Sequence, residues 1–222
     1  MPAPSKLSRR DQILEVALQH FSRHGYAGTS MRQLAEDVGI TAAAIYRHFP
    51  SKLDLFEKAV ESRSRGLAIS SYLETLSSLE SVEDILRATS LHLLSTAQQD
   101  PQLLRLLLMT SATDDEAAAK LLREFRMPYV NFLAKEFKKR IESGELRKVD
   151  PGITARCYVG LVIGCAVNAE FWNRLEDVTY ETLDIICNNV PIFARGLLAE
   201  VPEESANQEN NFAGRDVPKA ES

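Results

Sequence analysis

The sequence predicts an all-α chain, on three observations. Apolar residues recur at i, i+3 and i+4 through most of its length. Helix-start signals recur with them: Ser or Thr with an acid or amide three residues on, or Asp directly before Pro. No segment alternates apolar and polar residues over strand length, and there is no internal repeat.

Composition bounds the answer. The 222 residues suffice for one helical domain or two small ones. Cys157, Cys165 and Cys187 form no C-x-x-C pair, and an odd count fits a reduced, cytoplasmic setting. The first residues, MPAPSKLSRR, have no apolar run behind their charges, so no signal peptide is expected. The longest uncharged stretch, residues 157–169, is shorter than the roughly 20 residues a bilayer requires, so no membrane partner is expected. A net charge of −5 excludes a wholesale nucleic-acid coat, but the charge is uneven. Residues 1–60 hold 8 Lys/Arg against 6 Asp/Glu, a net of +2, and the remainder carries −7. A mildly basic head on an acidic body suits a protein that touches DNA at one end.

Taken in order, residues 1–7 read as a disordered arm. Ser8 with Asp11 opens a first helix, residues 9 to about 24, on the stripe Ile13, Leu14, Ala17, Leu18 and Phe21. Arg9 and Arg10 either touch a phosphate or minor groove or are simply solvated. His20 and His24 have the spacing of a metal pair, but neither H-E-x-x-H nor a third ligand accompanies them, so no metal is expected.

Residues 29–52 carry the DNA-contact chemistry. Ser30 with Gln33 reads as a capping box, and Leu34, Ala35 and Val38 give one apolar face. Gly39 ends that helix in the left-handed conformation glycine tolerates. Thr41 caps a second helix, residues 42–48, which Pro50 cannot continue. Helix, glycine turn, helix is the helix-turn-helix arrangement, whose second helix lies in the major groove. Thr41, Ala42, Ala43 and Ala44 are small enough for close approach. Thr41, Ala42 and Ala44 are the candidate base contacts, through methyl groups that suit thymine. Tyr46 and His48 are candidate phosphate contacts, Arg47 suits a base or a phosphate, and Ile45 and Phe49 pack inward. Ser51 with Asp54 opens a fourth helix. Lys52 in its first turn opposes the helix dipole, a conflict a nearby phosphate would resolve.

The strings F-x-x-x-G-Y-x-x-T-S (residues 21–30), L-A-x-x-V-G-I-T (34–41) and I-Y-R-H-F-x-S-K-x-x-L (45–55) resemble the DNA-binding domain of the tetracycline-repressor-like (TetR) family. The match covers about residues 8–65, roughly a quarter of the chain. Ala43 is a departure, since many members carry glycine there. The resemblance implies that Thr29 contacts phosphate, that Arg32 reaches base or backbone, and that the fourth helix, residues 53–65, joins the head to a regulatory body. It says little about a ligand.

The body, residues 66–200, reads as five or six helices, with Gly66 a candidate break and starts at Ser81, Asp100, Thr113 and Asp150. Gly144 closes the helix that begins after Thr113. Pro128 interrupts that helix and predicts a kink, and kinks leave room for cavities. Leu106, Met109, Phe125, Tyr129, Phe132 and Trp172 are candidate pocket walls, or simply core. The helix of residues 151–172 is apolar nearly all round and must be covered on both sides, by the chain's own core and by a partner, or as the central helix of a monomer. Gly160 and Gly164, with Val167, are candidate dimer-interface residues. Asn168 either orients a ligand or bridges a dimer. The resemblance implies dimerisation by this helix and the last one, residues 179–200. The tail, residues 201–222, reads as disordered.

No dinucleotide fingerprint, P-loop or G-x-S-x-G is present, and the four histidines form no set with a cysteine or serine. No enzyme and no cofactor are expected. The expectation is an all-α protein with an N-terminal three-helix helix-turn-helix DNA-binding domain and an all-helical ligand-binding and dimerisation domain. It would act as a homodimeric repressor released from palindromic double-stranded DNA by a small apolar or aromatic molecule. The alternatives are a helical protein-interaction module without a ligand, or a ligand-independent activator of the same fold.

Overall fold

The computed structural model describes residues 8–110, 116–172 and 180–199. The arm, the predicted start at Thr113 and the tail lie outside the described residues. Within them all regular structure is helical apart from one isolated bridge between Leu146 and Leu198.

The head is α1 (Arg9–Gly28), α2 (Met31–Val38) and α3 (Ala42–His48). Their ends follow local chemistry. Ser8 and Thr41 accept the amides of Asp11 and Ala44, as Ser/Thr caps do. Ser30 accepts the amide of Arg32 rather than that of Gln33. Gly39 closes α2 at φ 74, and Gly25 leaves helical geometry at φ 69, so regular helix in α1 stops at His24. Phe21, Leu34, Ile45, Phe49 and Phe56 are fully buried between these helices and α4 (Lys52–Leu67). Phe56 meets Phe21 and Tyr26 edge-on at 5.0 and 5.3 Å. His20 places Nε2 2.6 Å from Asp37 Oδ2 and so ties α1 to α2. Among the described residues no three ligating side chains converge.

Gly66 does not break α4. It lies on an exposed side, where one glycine costs a helix only about 1 kcal/mol, and the chain turns instead at Ala68, left-handed at φ 46. α5 (Ile69–Thr75) and a 3₁₀ turn, Leu76–Ser78, lead to the body: α6 (Val82–Gln99), α7 (Pro101–Thr110), α8 (Glu116–Leu121), α9 (Met127–Glu142), α10 (Pro151–Val167) and α11 (Thr182–Leu197). Ser81, Asp100 and Asp150 cap the helices they were expected to open. The irregularity expected at Pro128 is a π turn just before it, Leu122–Arg126. Proline has no N–H for the carbonyl four residues back, and a wider turn accommodates the missing bond.

α10 packs on α9 and α6, and α11 on α6. Tyr158 is the buried hub: its hydroxyl lies 2.6 Å from Ser90 Oγ and donates to the Leu86 carbonyl. Burial pushes this phenol up to about 12. Helical structure continues from Pro151 to Phe171, 21 residues, which by length and composition is enough to cross a bilayer. The shorter sequence estimate counted only the uncharged stretch, whereas the helix includes Arg156 and Glu170. Its inner side is covered by α6 and α9.

Head and body meet through α1 and α4. α1 rests on α4 and α7, and α4 on α8. Arg63 pairs with Asp100 at 2.8 Å. Lys120 of α8 reaches Glu61 of α4 at 3.0 Å and Glu124 of the π turn at 3.2 Å, while Ser64 of α4 donates to Glu124 at 2.8 Å. Lys120, and after it Lys58, hold the Glu61 carboxyl below its ordinary value.

Candidate nucleic-acid interface and an apolar cavity

The outer side of α3 is a ridge. Ile45 is fully buried on the inner side, which turns Ala43, Tyr46, Arg47 and His48 outward. Thr41 is exposed at the cap. Ala42 and Ala44 are half-buried, and Ala42 packs on the core. The small residue that faces outward is therefore Ala43, absent from the base contacts expected from sequence. The signal that finds it is its placement one turn before Tyr46 and Arg47, opposite the buried Ile45.

Two residues assigned to phosphate have other duties. Thr29 is buried, and its hydroxyl donates to the Gly25 carbonyl at 2.8 Å. Lys52 directs its ammonium to the carbonyls of Ala27 and Thr29, at 3.3 and 3.0 Å, and sits 4.6 Å over the Tyr26 ring. Its position against the dipole of α4 is thus answered by the carbonyl end of α1. Partial burial lowers its pKa. Arg32 is exposed beside Ser30, with only a loose 3.5 Å contact to Glu36. Arg10 lies over Phe49 at 5.1 Å and Arg9 donates to Gln12, both at the edge of the head.

The body holds a partly open cavity of about 400 Å³. α7 contributes Leu103, Leu104, Leu107 and Leu108, and α6 contributes Leu93, Thr96 and Ala97. Ile69, Phe125, Arg126, Tyr129, Gly160 and Ile163 complete the wall. Of the residues proposed from sequence, Phe125 and Tyr129 line it. Leu106 is fully buried and faces away, on the side of α7 turned toward Leu18 and Arg63. Met109 is exposed, with its methyl near Gly25, and Phe132 packs on the core. Asn168 lines a separate hollow with Tyr180, Asp184 and Asn189, and the side chain of Trp172 lies outside the described residues. Behind the wall Tyr129 is fixed: its hydroxyl lies 2.7 Å from His92 Nδ1, and Tyr72 stacks on His92 at 4.0 Å. Burial raises the Tyr129 phenol and lowers His92.

A third surface is apolar and uncovered. Ile153, Cys157, Gly160 and Leu161 form an exposed stripe on α10, continued by half-buried Gly164. Leu183 and Ile192 of α11 are 65% and 67% exposed. A side chain at Gly160 or Gly164 would meet nothing within 4 Å, so there is room for a neighbouring helix. Val167, by contrast, is buried in the chain's own core.

Comparison with known proteins agrees with the head. Residues 13–59 match the family model described as bacterial regulatory proteins, tetR family. The nucleoid occlusion factor SlmA of Aliivibrio fischeri (strain MJ11) is 29% identical over 170 residues, covering 74% of this chain and 85% of its own. Among solved structures, AibR in complex with isovaleryl coenzyme A and operator DNA superposes with a TM-score of 0.64 at 22% identity, over 84% of this chain and 98% of that one. FadR from Bacillus subtilis in complex with stearoyl-CoA gives 0.66 at 17%, with the same coverage. The fold shared with these regulators therefore spans head and body, over 84% of this chain. Motif, helix-turn-helix geometry and family match coincide on one head, and that head is a DNA-binding domain of the TetR family of bacterial transcriptional regulators.

Proposed function

We propose that the protein is a homodimeric repressor released from a palindromic operator by an apolar effector. The observation that carries this reading is one element, the π turn Leu122–Arg126, which faces both ways. Phe125 and Arg126 line the cavity, while Glu124 just before them is bonded to Ser64 of α4 and to Lys120. An occupant of the cavity presses on a turn whose next contact is the helix carrying the DNA head. Two heads at the wrong spacing cannot enter successive major grooves. A shift from mostly bound to mostly released needs about 5 kcal/mol or less of differential affinity.

The exposed stripe of α10, with Leu183 and Ile192 of α11, supports pairing of two copies through this face. Residues 8–65 serve as the DNA head, with the motif at 29–48, and residues 66–200 as the body. Arg32, Thr41, Ala43, Tyr46, Arg47 and His48 are the contacts the exposed ridge favours. AibR and FadR hold acyl groups on coenzyme A, which favours an aliphatic body for the effector. A dry cavity of about 150 Å³ takes benzene, so 400 Å³ has room for an acyl chain of ordinary length.

Selection of bound fragments from sheared source-genome DNA, followed by titration with acyl compounds, tests the reading. A palindrome holding two copies, released on titration, supports it. A single copy on an asymmetric site, or a complex that no acyl compound releases, sinks it. The similarity to SlmA over most of the chain favours a second reading, a DNA-bound nucleoid occlusion factor. Sites dispersed across the chromosome, rather than a few operators, would select it.

A further inference from the structure

The cavity has one charged residue on its wall. Apart from Arg126 the lining residues are apolar but for Thr96 and Tyr129. Among the described residues no carboxylate lies within ion-pair distance of Arg126, which donates only a long hydrogen bond there, 3.5 Å to the Arg156 carbonyl. Arg126 is half-buried, and its guanidinium, which cannot shed its charge, stands available to an anion beside the apolar wall. Tyr129 follows Arg126 by three residues, so the two side chains rise from one helical face about a turn apart. The Tyr129 hydroxyl is aimed by His92 at 2.7 Å and by the stacking of Tyr72 behind it.

We propose that the cavity takes an amphipathic anion, its hydrocarbon body among the leucines of α7 and its anionic oxygen on Arg126, with the Tyr129 hydroxyl meeting a second head oxygen. The proposal rests on the reading of this cavity as the effector site. Two sources carry the chemistry. The one-turn spacing suits the two oxygens of a free carboxylate. A coenzyme A ester would place its thioester oxygen there and its phosphates outside. His92 is a positioning residue, since it acts through Tyr129.

Calorimetric titration of the full chain with decanoate, decanoyl-CoA and decan-1-ol tests this. A charge-assisted hydrogen bond predicts that at least one anion binds about 10- to 100-fold more tightly than the alcohol. Arg126→Gln should erase that gap and leave the alcohol's affinity unchanged, while Arg126→Lys keeps most of it. Loss confined to decanoate identifies the free acid, and loss confined to decanoyl-CoA identifies the ester. The alcohol binding as tightly as both anions, or a gap that survives Arg126→Gln, overturns the anchor. If none of the three binds to protein that still binds DNA, the effector-cavity reading itself fails, which is a separate result from losing the anchor.

Discussion

Lys52 Nζ lies 3.0 Å from the carbonyl oxygen of Thr29, across 23 residues of sequence, and closes the start of α4 onto the end of α1. Lys52→Ala should therefore destabilise the head by about 1–2 kcal/mol, for the lost hydrogen bonds and cation–π contact. The salt slope of DNA binding should change by well under one. A thermal melt and a salt titration check both. An unchanged melt with a slope reduced by about one would return Lys52 to the phosphates.

Arg47 behaves in the opposite way. It is exposed on the ridge of α3. Arg47→Ala should leave the melt unchanged and reduce the magnitude of the slope, about −3 to −4 for a dimer with two basic contacts per subunit, by roughly 1.8 for the two copies lost. Tyr46→Ala should weaken binding with little change in slope, since a phenol carries no charge.

Ser64 and Glu124 meet at 2.8 Å between α4 and the π turn. Ser64→Ala and Glu124→Gln should each leave effector binding and DNA binding separately intact while shrinking the effect of one on the other. Allosteric coupling is typically 1–3 kcal/mol, so an effector that weakens DNA binding 10- to 100-fold should do so several-fold less in these variants. Electrophoretic titrations with and without effector measure it, and full coupling in both variants would remove this contact from the route.

Acid should loosen the body through His92. Burial lowers its pKa from the ordinary 6.5, so the unfolded chain binds the proton more readily than the folded one. The stabilisation is fully present above about 6.5 and is lost as pH falls through the lower folded value. His92→Gln should flatten that part of the stability profile, read by denaturant melts between pH 7.5 and 5 at about half-unit steps.

Ile192 and Leu161 are 67% and 40% exposed. Leu161→Glu and Ile192→Glu should preserve the monomer fold while shifting sedimentation to the monomer and costing operator affinity. Each places a charge where the proposed interface requires apolar contact.

What was legible in the sequence was local. Ser8, Thr41, Ser51, Ser81 and Asp150 accept the amide three residues on, as their spacing predicts, and Gly39 takes the left-handed turn. What was not legible depends on partners far along the chain. Nothing near Lys52 in sequence announces the carbonyl of Ala27, and the burial of Thr29 follows from the same closure. Leu103, Leu104, Leu106, Leu107 and Leu108 surround most of α7, and Arg105 marks only its exposed side; packing turns Leu106 into the core and the others to the cavity. Pro128 announced an irregularity, but not that the turn before it would carry Glu124 to Ser64 and Lys120.

Gly160 belongs to two surfaces: it lines the cavity and it lies on the uncovered stripe of α10. Under the proposed assembly, what the protein senses and whom it pairs with share a single codon. A duplicated gene that acquired a larger side chain there would change its inducer and stop mixing subunits with its parent in one mutational step. Divergence of a sensor and its insulation from its sibling, ordinarily two separate problems for a growing regulatory repertoire, would then be solved together.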